Sequence, residues 1–545
     1  MPSSSSAKAV PILVALTMLT LSACAAPAST DATPDGGGTF VYATGKDISC
    51  LDPHVGGDMP QASIAAQYLD SLVSQDENGD IHPWLAESWE SSEDGLTWTF
   101  KLRDDVVFTD GTPFDATALK ANLDRMVDPA TQSSTAGGYL KPYVGTEVVD
   151  ATTAVVTLNR PYAAFLEVLA QPFLGIQSPT AFARPQDENC ASPVGSGPFK
   201  IVDYTPQQEV QLVRNEDYNS APPFAKKTGP ASIEKIAWRI IPENATRYGA
   251  LRTGEVDAID LLPPENFAEA KADSKIELNL NDRPGNPTSL ALNTTRAPFD
   301  DRDVREAFLL SANVEAGIDS VFLGTSTYAG GPLSPVTRFY SPDFEDVYSY
   351  DLDRAKELLD VAGWSETDSD GYRTKDGKRL TVSLPVTPEE WPAATVELFT
   401  QIQANAKQAG FEVKIDNVDG ATGYGRNISF DYDLRGEYWN TNTADVLRIV
   451  FSTEYLESAG WVPNGSGYSN PELDTILNDA LATNDAAERE DLYYEAQKII
   501  SDEALQLNLY SQSTQLASRG DKVANVVVEP SLALPYLYDA SVVAD

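Results

Sequence analysis

The apolar pattern of this 545-residue chain changes character at Leu290, and that switch constrains the fold more than any other feature. Before it the sequence offers short alternating segments bounded by turn residues. From Gly38, G-T-F-V-Y-A-T alternates, and Leu96, Trp98, Phe100 and Leu102 alternate with Thr97, Thr99 and Lys101, as a half-buried strand does. Further strands are expected over 154–158, 199–204 and 208–214. A helix is expected over 62–72. Asp110-Gly111 marks a turn, and Asp115 is placed to cap a helix over 118–126. The segment R-Y-G-A-L-R-T-G-E-V-D-A-I-D reads as a helix closed by Gly254 and followed by a short strand. After Leu290 long helices, over 304–311, 353–361, 393–409 and 487–501, alternate with strands over 380–384 and 412–415. The whole is an α/β chain without internal repeats.

The first residues stand apart from this pattern. Residues 1–23 carry one charged side chain, Lys8, and an apolar run ending at Leu21. A bilayer core needs about 20 apolar residues in a helix, so the run is short for a span and reads as the apolar region of a secretory signal. It ends in L-S-A-C, which resembles the lipobox of bacterial lipoproteins; on that resemblance Cys24 carries a lipid, and ordinary cleavage near Ala23 is the alternative. Residues 24–37, rich in Ala, Pro, Ser and Gly, read as a flexible tether. The body is then expected on the outer face of the cytoplasmic membrane, lipid-anchored.

Charge narrows the partners. Asp and Glu number 81 against 39 Lys and Arg, a formal net charge of −42. Such a surface repels phosphate backbones, which argues against nucleic acid. The 2 histidines, His54 and His82, rule out a multi-His zinc site and leave few ways to build a Ser-His-Asp site. With Cys24 acylated, only Cys50 and Cys190 remain. They form one disulfide or two unrelated buried thiols, and spacing does not decide between these.

At this point the residues resemble a known family. The run 86–122 is similar to the signature region of the extracellular solute-binding proteins of family 5, the peptide, dipeptide and nickel receptors of ABC importers. Collinear landmarks extend the resemblance over nearly all of the mature chain: L-D-P-H at 51, G-S-G-P-F at 195, R-N-x-x-Y at 214, T-G-E-V-D at 253, P-F-D-D-R-D-V-R-E-A-F at 298, Y-D-L-D-R-A-K-E-L-L-D-V-A-G-W at 350 and Y-S-N-P-E-L-D at 468. The resemblance implies a two-lobed periplasmic-binding-protein-like fold (type II, cluster C) with an extra α+β subdomain in lobe I. Lobe I is expected from 38–72, 194–290 and 511–545, the inserted subdomain from 73–193, and lobe II from 291–510. Hinge crossings are expected near Leu290 and Tyr510. This arrangement brings Cys50 and Cys190 to one junction and favours the bridge.

The family's binding segments map onto Gly57, Asp58 and Met59 after L-D-P-H, and onto Y-D-L-R-G-E-Y-W-N-T-N-T, 432–443. In the peptide carriers the latter holds W-x-x-D, whose Asp pairs with the ligand ammonium. Here the match gives Trp439 and Asn442, with Asn440 between them. An Asn brings no charge, so Asp445 or Asp58 compensates, or the ligand is not a simple peptide. Trp439 reads as a cleft or a core indole. Tyr424, in the Gly-rich loop G-A-T-G-Y-G-R, and Tyr510 reach the cleft or cover a sheet.

The implied function is a non-enzymatic receptor: a monomer, without a cofactor, that delivers a small solute, by default an oligopeptide, to ABC permease subunits in the membrane. No G-x-x-x-x-G-K-[ST] loop is present. The rivals are a secreted carbohydrate-acting hydrolase using two carboxylates and the same receptor fold carrying an oligosaccharide or another solute. The stretch 365–378, with Asp368 and Asp370, echoes a calcium loop but lacks its final Glu and reads as a solvated hairpin.

Overall fold

The computed structural model describes residues 37–388, 390–456 and 462–543. Cys24, the signal and all but the last residue of the tether lie outside the described residues.

A seven-stranded sheet is assembled from distant parts of the chain. Its order is Ile276–Asp282, Ser513–Arg519, Ala258–Ile259, Thr39–Thr44, Lys235–Ile240, Glu209–Arg214, Phe199–Thr205. Thr39–Thr44 runs parallel to both neighbours, and the remaining pairs are antiparallel. Its alternating apolar residues bury Phe40, Tyr42, Leu212, Trp238 and Leu516 in one cluster, where the Tyr42 and Trp238 rings lie 4.1 Å apart. The helix Met59–Tyr68 packs beside this sheet. It starts at a reciprocal cap in which the Asp58 carboxylate accepts from the Gln61 N–H and the Gln61 amide oxygen accepts from the Asp58 N–H. The helix ends at Tyr68, short of the expected Leu72, and the N–H of its cap Leu69 bonds back to the Ala65 carbonyl.

The inserted region holds a four-stranded antiparallel sheet, Ala86–Ser91, Thr97–Leu102, Thr153–Leu158 and Tyr143–Asp150. The helix Ala116–Val127 is capped by the Asp115 carboxylate, which accepts from the Ala118 N–H at 2.8 Å. Cys50 and Cys190 are joined as a disulfide with Cα atoms 4.5 Å apart. Beside it His54 is fully buried. Its Nε2 donates to the Gly175 carbonyl at 2.9 Å, and its Nδ1 accepts from Arg125 Nη1 at 2.9 Å.

The remainder carries a three-stranded antiparallel sheet, Leu434–Asn440, Gly285–Leu292 and Gln506–Tyr510. It also holds a βαβ unit in which Thr381–Val386 and Glu412–Asn417 pair in parallel and the helix Ala393–Ala409 connects them. Helices Arg302–Ser311, Leu352–Val361 and Ala393–Ala409 bury Phe308, Leu359 and Leu398 around Phe411. Pro287 has no N–H to give the ladder, and the register of its strand slips between Asn286 and Ser289.

Two further features differ from the sequence-based expectation. G-A-T-G-Y-G-R is not a loop but lies within the helix Gly420–Ile428, started by the Asp419 carboxylate accepting from the Thr422 N–H at 2.9 Å. An N-cap of this strength offsets part of the helix cost of the glycines. The chain crosses between the seven-stranded and three-stranded sheets at 283–284 and 511–512, so the first crossing precedes Leu290. Leu290 sits mid-strand with a partner on each side, Gly436 and Leu507.

Candidate ligand-binding cavity

A cavity of about 1210 Å³ opens where the carboxyl ends of the parallel strands converge. Thr44, Pro242 and Asp260 line it just past the ends of Thr39–Thr44, Lys235–Ile240 and Ala258–Ile259. Thr387 does so past Thr381–Val386. Open α/β sheets place ligands at such ends, because the loops leaving them are free to diverge. The facing wall is the strand segment from Arg435 to Asn440, with Trp391 and Pro392 ahead of the helix Ala393–Ala409.

Aromatic rings dominate the apolar surface. Trp391 meets Tyr438 edge to face at 5.8 Å, and Phe322 and Tyr510 lie with ring centroids 4.5 Å apart. Trp391 lies against the strand because residue 436 is glycine: a Cβ there would stand 2.7 Å from the indole. Gly57, at φ +113°, similarly leaves room for Thr135.

Of the sequence-derived candidates, Gly57, Asp58, Met59, Trp439, Asn440 and Tyr510 line the cavity. The Trp439 indole N–H donates to the Tyr139 hydroxyl at 3.0 Å, and Asn440 Nδ2 donates to Gln512 Oε1 at 3.1 Å. The Tyr510 hydroxyl bonds Thr395 Oγ1 at 2.7 Å. Burial pushes the Asp58 carboxyl pKa up, and its bond from the Gln61 N–H pulls the other way.

Two candidates lie elsewhere. Tyr424 is 46% exposed on its helix and is not part of the lining. Asn442 is buried behind the wall with its amide held on both sides: Nδ2 donates to Gln75 Oε1 at 2.7 Å and to the Glu167 carbonyl at 2.6 Å, while Oδ1 accepts from Gln171 Nε2 at 2.7 Å. These three bonds use both of its N–H donors and turn the amide away from the cavity. Asp445 is equally committed, in a bidentate pair with Arg448 at 2.7 and 2.8 Å. Of the two proposed compensating acids, Asp58 is the one that lines the cavity. His54 and His82 both lie off the lining. Asp368 and Asp370 pair with Arg379, as a solvated hairpin allows. Among the described residues no group of three or more His, Cys, Asp or Glu could hold a metal ion.

The sequence reading missed Arg283, Phe322, Trp391 and Tyr438, all on the lining. Tyr438 was within reach, because it belongs to the quoted 432–443 segment. Trp391 sits in P-E-E-W-P just past a strand end, where the carboxyl-end rule points. Arg283 precedes a Pro-Gly pair and carries no periodic signal.

Comparison with known proteins gives one consistent answer. Residues 80–481 match "Bacterial extracellular solute-binding proteins, family 5 Middle". The chain is 32% identical over 482 residues to the glutathione-binding protein GsiB of Escherichia coli O1:K1 / APEC, covering 85% of this chain and 87% of that protein. It superposes on the periplasmic binding protein DppA of Helicobacter pylori, solved with the peptide STSA, with TM-score 0.77 and 27% identity over 93% of this chain and 98% of that one. It also superposes on NikA of Brucella suis, solved with Fe(III)-EDTA, with TM-score 0.80 and 24% identity over 93% and 100%. The fold is the type II periplasmic-binding-protein fold. No helix among the described residues is long and apolar enough to cross a membrane. The cavity and these matches together establish that the chain belongs to family 5 of the bacterial extracellular solute-binding proteins, the solute receptors of ABC importers.

Proposed function

We propose that this receptor captures a short peptide between two lobes and hands it to an ABC permease while tethered to the membrane through a lipid on Cys24. The single observation that carries the peptide reading is the cavity. At about 1210 Å³ it exceeds the roughly 300–1,000 Å³ of an ordinary small-molecule site. It joins aromatic faces to fixed polar groups, among them Asp58, Asn440 and Gln512. A peptide of a few residues offers matching backbone amides and side chains. The names of two relatives agree, one a glutathione binder and one solved with a tetrapeptide.

The seven-stranded sheet and the inserted region form lobe I in this reading, and the three-stranded sheet with the βαβ unit forms lobe II. The ligand is bound and released unchanged, by one monomer of receptor per solute. Calorimetry with glutathione, trialanine and maltotriose tests the ligand class. Binding of either peptide with unit stoichiometry supports the reading, and binding of maltotriose alone replaces it with a sugar receptor. The anchor is tested by Cys24→Ala, which should release the protein into the medium; retention at the membrane would remove the lipid assignment.

A further inference from the structure

The cavity is lined by four basic side chains, Lys46, Arg247, Arg283 and Arg435, and they differ in what their charges already meet. Arg247 donates to the carbonyls of Ile241, Pro242, Asp260 and Leu261 and to Asn244 Oδ1. Its guanidinium is consumed by the wall. Arg435 forms a buried pair with Glu437 and also donates to the carbonyls of Val462 and Pro463. Lys46 is exposed.

Arg283 is different. Its Nε donates to Thr514 Oγ1 at 2.9 Å and its backbone N–H to the Gln512 carbonyl at 2.7 Å, so both the root and the head of the side chain are anchored. Its two terminal nitrogens have no hydrogen-bond or ion-pair partner among the described residues. The acid that acts on it most, Asp260, lies too far away to form an ion pair. That carboxylate accepts from Thr44 Oγ1 at 3.1 Å through Oδ2, while its Oδ1 is buried without a partner. Burial pushes the Asp260 carboxyl pKa up, which weakens it further as a counter-charge. Burial also pulls the Arg283 pKa down, the signature of a cation drawn out of water without adequate compensation.

We infer that Arg283 is the specificity group of this receptor and that its solute carries a carboxylate, held by the two open guanidinium nitrogens at the crossing between the sheets. The fork of a guanidinium matches the two oxygens of a carboxylate, and such bidentate bonds are the strong ones. A phenol, amide or sugar hydroxyl placed there would leave one nitrogen unmatched. The position adds a consequence: the carboxylate is held by a segment that connects the two sheets, in the cavity that Tyr438 and Tyr510 also line, so the group that is recognised also lies at the place where any closure would bend.

This rests on the receptor reading but not on the solute being a peptide, and the experiment separates the two. Wild-type protein, Arg283→Gln and Arg283→Lys are each purified with carried-over solute, which is then released by unfolding and weighed. Calorimetry follows with trialanine and trialanine amide, and with glutathione and its diethyl ester. The inference predicts that the wild type releases a carboxylic acid and binds each free acid about tenfold or more tightly than its amide or ester. Arg283→Gln should bind each free acid no more tightly than its amide or ester, and Arg283→Lys should keep part of the preference. A released acid that is not a peptide would leave Arg283 assigned and remove the peptide. Release of a neutral solute, equal binding of acid and amide by the wild type, or an undiminished preference in Arg283→Gln would overturn the inference. Far-ultraviolet circular dichroism and denaturant unfolding, measured alongside, show that the variants are folded.

Discussion

The backbone N–H of Arg283 donates to the carbonyl of Gln512 at 2.7 Å, which ties together the two places where the chain passes between the seven-stranded and three-stranded sheets. On one side of this bond Ile276–Asp282 pairs with Ser513–Arg519, and on the other Gly285–Leu292 pairs with Gln506–Tyr510. Two short links lying side by side would permit rotation about one line and resist shear, which is what the proposed closure of two lobes needs.

Solute addition should therefore move whole sheets without melting them. Small-angle scattering is expected to show a smaller radius of gyration with trialanine or glutathione bound, at unchanged far-ultraviolet circular dichroism. An unchanged radius at saturating solute would remove the hinge.

Asn442→Asp should fail to create a preference for free amines, because residue 442 lies behind the cavity wall. The variant loses an amide donor to the Glu167 carbonyl and to Gln75 Oε1 and buries a carboxylate in their place. A buried acceptor left without its donor costs about 1–3 kcal/mol, and a charge costs more. Denaturant unfolding should show destabilisation of at least about 2 kcal/mol. A stable variant with a new tenfold preference for trialanine over its N-acetyl form would return residue 442 to the site.

The Cys50–Cys190 bridge closes a loop with sequence separation 140, for which the chain-entropy account gives a stabilisation of about 5 kcal/mol. Thiol labelling of the denatured, unreduced mature protein should find neither cysteine free. Cys50→Ser with Cys190→Ser should lower the unfolding free energy by several kcal/mol, in the range of about 2–5 kcal/mol typical of native bridges. Labelling at both positions would sink the bridge.

Acid should act through His54. Burial holds its imidazole at a pKa of about 4 against an ordinary 6.5, with Arg125 pulling the same way and Asp52 opposing. Between those values the unfolded chain takes up a proton that the folded chain refuses. The stabilising contribution is thus complete above about pH 6.5 and is lost as pH falls toward 4, by up to about 3 kcal/mol. Asp70 and Asp282 run the other way: burial raises each to about 6, so their contribution is present at low pH and is lost as pH rises through about 6. The quantity to measure is therefore the difference between wild type and His54→Gln, which should shrink steadily from pH 6.5 to 4. In NMR, one of the two imidazoles should remain neutral until about pH 4. Titration of both near 6.5 would contradict the buried, neutral assignment.

How far the sequence could be read follows physical range. Local signals were legible. The Asp115 cap, the Gly254 stop and the 393–409 helix recur in the structure because each depends on residues within one turn. The helix Gly420–Ile428 looks like a loop in sequence because its glycines mask the Asp419 cap that starts it. The site was legible only in part, since adjacency in sequence does not say which side of a strand faces a cavity. Trp439 and Asn440 lie on the lining, whereas Asn442, two residues on, turns into contacts with Gln75 and Gln171 from a sequence-distant segment. Arg283 escaped notice because its importance comes from what its neighbours leave undone, and that is visible only once Arg247 and Arg435 are seen to be occupied.

A receptor of the proposed kind holds its solute and leaves it chemically intact. Native mass spectrometry of the protein incubated with glutathione and with trialanine tests this most directly. A single bound molecule per chain is expected, whose mass after release equals that of the solute supplied. Release of cleavage or transfer products, accumulating beyond the amount of protein present, would contradict it.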